Sequence, residues 1–158
     1  MPSSTHHDLD SILKSSSAMN AVRIEAFLDE SAIPLRLASA GGDGVPLVSS
    51  LWYQYSQGAF YSATHKSSLV AKRLLANPVC GFEIAADHMP YCGVRGQGRV
   101  EMLSDGASEL LADLFERYHI DPTSHLATWL QSRSADEYVI CIRPNWLTSW
   151  DYASRMTR

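Results

Sequence analysis

The sequence predicts a mainly-β domain, a small antiparallel barrel of six or seven short strands flanked by two or three helices. Three observations predict it. Short runs of alternating apolar and polar residues are separated by glycine-bearing turns. The first of these runs follow one another as strand, hairpin, strand, hairpin, strand, which is an antiparallel meander and not a βαβ array. At 158 residues with no internal repeat, the chain fits one domain that can bury roughly two-thirds of its unfolded surface without metal or disulfide staples.

Residues 1–18 read as a polar, flexible N-terminal lead, and residues 19–158 as the single barrel domain. The opening "MPSSTHHDLDSILKSSS" lacks a basic start followed by an apolar block, so it does not read as a secretory signal, and His6 and His7 sit in it without a role. Met19–Glu30 places Val22, Ile24, Ala26, Phe27 and Leu28 among polar residues, the pattern of a short helix packed by one face. "LRLASA" alternates as a strand, and "GGDG" supplies the positive φ angles of a tight hairpin. "VPLVSSLWYQY" is the return strand; after Gln57 and Gly58, "AFYSA" is the third.

The polar loop "THKSS" leads into a helix, "LVAKRLLA", capped by Ser67 or Ser68 and ended at Asn77 before Pro78. "VCGFEIA" follows with Cys80, Phe82 and Ile84 on one face. A turn around "DHMP" leads to a long strand, "YCGVRGQGRVEML", with Cys92, Val94, Val100 and Met102 on one side and Arg95, Gln97, Arg99 and Glu101 on the other. Gly93, Gly96 and Gly98 mark a bulge or a close approach within it. "DGASELLADLFERYHI" repeats its apolar residues at helical spacing, and a short helix around "SHLATWL" follows. The chain closes with "DEYVICIR", a Pro144-Asn145 turn and "WLTSWDY", a last antiparallel pair.

Composition narrows the function. With 46% hydrophobic and 19% charged residues the chain is globular, and no apolar run approaches the length of a membrane span, about 20 residues. A net charge of −4 argues against a broad nucleic-acid surface. Cys80, Cys92 and Cys141 are an odd number without C-x-x-C spacing, which suggests neither a disulfide frame nor a zinc knuckle and fits a reducing cytoplasm. Between Asp43 and Glu83 there is no carboxylate, while Lys66, Lys72 and Arg73 give that stretch a local charge of +3. Either an anion site or a buried strand region with surface cations accounts for it.

The common motifs are absent: no G-x-G-x-x-G after a strand, no G-x-x-x-x-G-K-[ST], and no G-x-S-x-G. His65, His88, His119 and His125 lack the close spacing of a zinc site, so no metal is expected. Each cysteine falls in a predicted strand, where a small buried hydrophobe is the usual role. What remains is binding by strands and by the strand-to-helix loop. Ser49, Ser50, Thr64, Ser67 and Ser68 would present hydroxyls to a planar, anionic ligand, or else satisfy their own backbone.

The words "IPLRLAS", "DGVPLVSSLWYQYSQGAFYSAT", "LLANPVCGFEI", "PYCGVRGQGRVEML" and "RPNWLTSWDY", in that order, resemble the pyridoxamine 5′-phosphate oxidase-like split β-barrel proteins, the flavin- and deazaflavin-binding group. The resemblance runs from Ile33 to Tyr152. It implies a homodimer with two equivalent sites at the subunit interface, each holding FMN or, in some branches, a deazaflavin. It further implies that the strand from Val48 to Trp52, including Leu51, lines the flavin ring. The segment Ala63 to Lys72 would receive the phosphate, and residues near Trp146 to Trp150 would approach from the neighbouring subunit.

The resemblance fails at two points. Many flavin-binding members read S-R-K after the loop, and here those positions hold Ser68, Leu69 and Val70; Cys92 stands where relatives often place an arginine. A charge-assisted contact to phosphate is stronger than a neutral one, so the missing cations bear on cofactor retention. Lys66, Lys72 and Arg73 are the available substitutes. The leading reading is a cytoplasmic FMN-dependent oxidoreductase acting on an unknown small molecule. Its expected cofactor contacts are Arg36, Ser49, Ser50, Leu51, Trp52, Ala63, Thr64, Lys66, Ser67, Ser68, Lys72 and Trp150. No side chain stands out as a general acid or base. The alternatives are a non-enzymatic binding protein for haem or another apolar ligand, with His65 or His88 as contacts, and a deazaflavin-dependent reductase.

Overall fold

In a computed structural model of the chain, residues 5–157 are described, with side chains from Leu9 onward. The expectation for His6 and His7 lies outside the described side chains. Seven strands form one antiparallel sheet: β1 (Leu35–Ala40), β2 (Pro46–Leu51), β3 (Gln54–Ser56), β4 (Ala59–His65), β5 (Val79–Ala85), β6 (Cys92–Leu103) and β7 (Glu137–Asp151). Their spatial order is β2-β1-β5-β6-β7-β4-β3. The sheet curls into a half-barrel with flanking helices, so the mainly-β split barrel expected from the sequence is observed.

The two edge strands, β2 and β3, are halves of the run expected as one return strand. Trp52 and Tyr53 interrupt it, because Tyr53 is drawn into the core. Its hydroxyl donates to the Leu28 carbonyl at 3.0 Å, and its N–H donates to the Tyr118 hydroxyl at 3.1 Å. The same segment therefore pairs with β1 before the bend and with β4 after it, and this crossing is where the barrel splits.

The expected Pro144-Asn145 turn is corrected. Glu137–Asp151 is a single 15-residue strand, and its pairing with β6 shifts between Gln97↔Trp146 and Gly98↔Pro144, leaving Asn145 as the extra residue of a bulge. Pro144 is tolerated there because β4 pairs with β7 only as far as Ile142, so the proline lies at an irregular edge position. The glycines facing this bulge also mark close approach. A Cβ on Gly96 would lie 2.7 Å from the Phe82 ring and against the Trp146 carbonyl, and one on Gly98 would lie 2.7 Å from the Arg143 carbonyl.

Six helices are described, more than the two or three expected: α1 (Thr5–Ile12), α2 (Ala21–Glu30), α3 (Leu69–Ala76), α4 (Ala107–Arg117), α5 (His125–Ser132) and α6 (Ala153–Met156), with a 3₁₀ turn at Ser134–Asp136. Within the segment expected as a lead, Leu9 is buried, Leu13 bridges to Leu147, and the Lys14 N–H donates to the Leu147 carbonyl at 2.9 Å. Ser68 is the N-cap of α3, and α2, α4 and α5 form where apolar periodicity places them. Leu35, Leu37, Phe60, Leu74, Ile84, Ile140 and Ile142 fill the barrel. Among the described residues, no helix is long and apolar enough to cross a membrane.

Candidate functional site

Beside the β2–β3 bend the ends of β2 and β4 enclose, with α4 and the segment after α5, a cavity of about 400 Å³. The strands contribute Ser50, Leu51, Trp52, Ala63, Thr64 and His65; the helices contribute Ser68, Leu111, Leu114 and Leu130; Arg133 and Glu137 complete the lining. Ser50 and Leu51, the last two residues of β2, both reach the cavity at the strand's end, whereas Ser49 lies outside its lining. Leu110, Leu111, Leu114 and Phe115 of α4 are buried, which presses that helix onto the barrel and makes its inner face one wall. Trp52 is held against it, stacked on Tyr118 at 5.3 Å between ring centroids and edge-on to Phe115 at 6.4 Å.

The opposite end is polar. Ser68 Oγ accepts the Ala71 N–H at 3.1 Å and lies 2.9 Å from Thr64 Oγ1. His65 Nδ1 accepts the Ser67 N–H at 3.1 Å and lies 2.6 Å from Ser67 Oγ. An accepting Nδ1 puts the ring proton of the neutral imidazole on Nε2. Glu137, first residue of β7, is buried. Arg133 Nε and Nη2 both reach its Oε1, at 2.8 and 2.7 Å, while the guanidinium sits 4.3 Å from the centroid of the Trp129 ring. Burial pushes the nearby phenol of Tyr118 up from its ordinary value, as it does that of Tyr53.

The structure therefore brings six of the expected contacts to one cavity: Ser50, Leu51, Trp52, Ala63, Thr64 and Ser68. The others lie elsewhere. Lys66 donates to the Ala135 carbonyl at 2.8 Å and covers the Tyr138 ring. Ser67 is exposed and turned to His65, and Lys72 is exposed farther along α3. Arg36 lies in a groove on the sheet surface with Arg95 and Trp146, and Trp150 packs over Gly93 with Arg95 against its ring. Arg73 closes the β1–β2 hairpin by donating to the Ser39 and Val45 carbonyls. His88 is exposed and pairs with Asp87.

Arg133 and Glu137 are absent from the sequence-level candidates. Nothing in "SRSADEY" signals a site, because only the His65↔Glu137 pairing of β4 with β7 carries that segment to the cavity. Leu111 and Leu114, which the helical spacing of α4 puts on its apolar face, line the cavity as well as pack the helix.

No known family pattern and no curated protein matches this sequence. Solved structures do. A conserved hypothetical protein of Mycobacterium tuberculosis aligns with a TM-score of 0.76 at 21% identity, over 92% of this chain and 93% of that one. An F420 reductase aligns with a TM-score of 0.63 at 22% identity, over 77% and 93%. The haem storage protein HutZ of Vibrio cholerae aligns with a TM-score of 0.63 at 16% identity, over 82% and 92%. With these neighbours, the fold is that of the pyridoxamine 5′-phosphate oxidase-like split barrels, as the sequence resemblance implied.

Proposed function

We propose that this split-barrel chain is an oxidoreductase that holds FMN in the cavity beside the β2–β3 bend and acts on a small organic molecule. The observation that carries this is the meeting, in one cavity, of an apolar wall broad enough for a planar ring with a polar end suited to an anion. Leu51, Leu111, Leu114 and Leu130 exclude water from the ring. The Thr64–Ser68 hydroxyl pair, with one proton engaged between them, and His65 Nε2–H offer donors to the polar tail, and the N-terminus of α3 favours negative charge nearby. The bound flavin supplies the hydride or electron transfer. The chain supplies orientation and a dry wall, with the carboxylate of Glu137 held by Arg133.

The neighbouring F420 reductase makes a deazaflavin the alternative occupant, since that ring and its phosphate make the same demands of the cavity. The haem storage neighbour and the apolar lining favour a second reading, a haem-binding protein. In that reading, ligation through His65 Nε2 moves the proton to Nδ1, which gives up the bond from the Ser67 N–H and donates to Ser67 Oγ at 2.6 Å. A cytoplasmic homodimer completes the proposal. It is supported by three free cysteines and by an uncovered sheet face where Val48 and Val79 are exposed beside Ala38 and Gly81.

Fluorescence titrations with FMN and with haemin, on the protein and on Ala63→Phe, test the reading. FMN binding that Ala63→Phe weakens by about tenfold or more supports it. Haemin binding without FMN binding overturns it.

A further inference from the structure

Of the cations expected to stand in for the missing arginine and lysine, Lys66 and Arg73 are engaged with backbone carbonyls and Lys72 lies outside the cavity lining. One guanidinium does line the cavity. We infer that Arg133, from the segment after α5, is the phosphate-binding cation of this site, an inference that rests on the flavin reading above.

Three contacts fix the guanidinium in advance. Glu137 holds two of its nitrogens through one oxygen, the Trp129 ring covers one face, and β7 anchors Glu137 opposite His65. Among the described residues Nη1 has no partner, and the side chain is 28% exposed, so part of the fork remains open to a ligand. An arginine so oriented loses little conformational freedom on meeting an oxyanion, and its planar fork suits phosphate. Glu137 sets the direction of the fork, and Nη1, which lies outside that pairing, is the nitrogen left for a ligand.

Lys66 then has a role of a different kind. Its Nζ donates to the Ala135 carbonyl and its N–H to the Asp136 carbonyl at 2.8 Å. Both bonds tie the 3₁₀ turn that follows Arg133 to the loop before α3, holding Arg133 in register with Thr64 and Ser68. Lys66 is a positioning residue, and the cation lost from the start of α3 is replaced from another part of the chain.

FMN and riboflavin differ by the phosphate alone, so their affinity ratio isolates this contact. The test measures both affinities for the protein, for Arg133→Lys, and for the double variant Arg133→Met/Glu137→Gln. The double variant avoids leaving a buried carboxylate unpaired, and melting curves check that it folds. The expected result is FMN bound about tenfold or more tighter than riboflavin, the preference falling to about unity in the double variant and intermediate in Arg133→Lys. If the unaltered protein binds both flavins equally, or the double variant keeps the preference, the assignment of Arg133 is overturned while the flavin reading stands. Binding of neither flavin overturns both.

Discussion

Gly96 and Gly81 lie on neighbouring strands, one pressed by its surroundings and the other free. A methyl group at Gly96 meets the Phe82 ring and the Trp146 carbonyl, whereas at Gly81 the nearest atom is 3.8 Å away. Gly96→Ala is therefore expected to cost about 1–3 kcal/mol, since backbone must move, and Gly81→Ala to change stability by no more than about 0.5 kcal/mol. Urea unfolding of the two variants checks the contrast. At Cys80 burial pushes the thiol up to about 12. An unfolded thiol ionises near 8.5, so above that pH the unfolded chain releases a proton that the folded chain keeps, and stability falls as pH rises toward the folded value. The melting temperature should decline above about pH 8.5, and less steeply in Cys80→Ala. The close approach at Gly96 was legible from glycines on alternate sides of an apolar strand. Arg133 was not, because its meaning depends on the pairing of Glu137 with His65 of β4, a strand far earlier in the chain.

At the scale of elements, local chemistry predicted most of what forms. The α3 start shows why: Ser68 closes a side-chain bond to the Ala71 N–H, a signal wholly contained in "SSLVA". Ser68→Ala should lower stability by about 1 kcal/mol, measured by denaturant unfolding, and should weaken FMN binding because Thr64 loses its partner at the polar end of the cavity. Elements whose ends depend on distant contacts were misread. The β2–β3 bend forms because α2 and Tyr118 capture Tyr53, and the Pro144 bulge forms because β6 continues past it. Neither proline nor aromatic spacing alone reveals a partner of that kind. The N-terminal segment depends on distant contacts in the same way, since Leu9 is buried and Leu13 bridges to Leu147.

For the whole molecule, seven strands close on a single bent segment, and the cavity lies at that closure. Half of the expected contacts converge there because β2 and β4 are near neighbours in sequence as well as in space. The remaining contacts are scattered over the sheet face and the α3 surface. Sedimentation at micromolar concentration is expected to give a mass near twice that of the 17.5 kDa chain. The most direct test of the central claim is the visible spectrum of the protein after incubation with FMN and removal of free flavin by gel filtration. The account predicts flavin absorption that travels with the protein. A colourless protein after that treatment would contradict it.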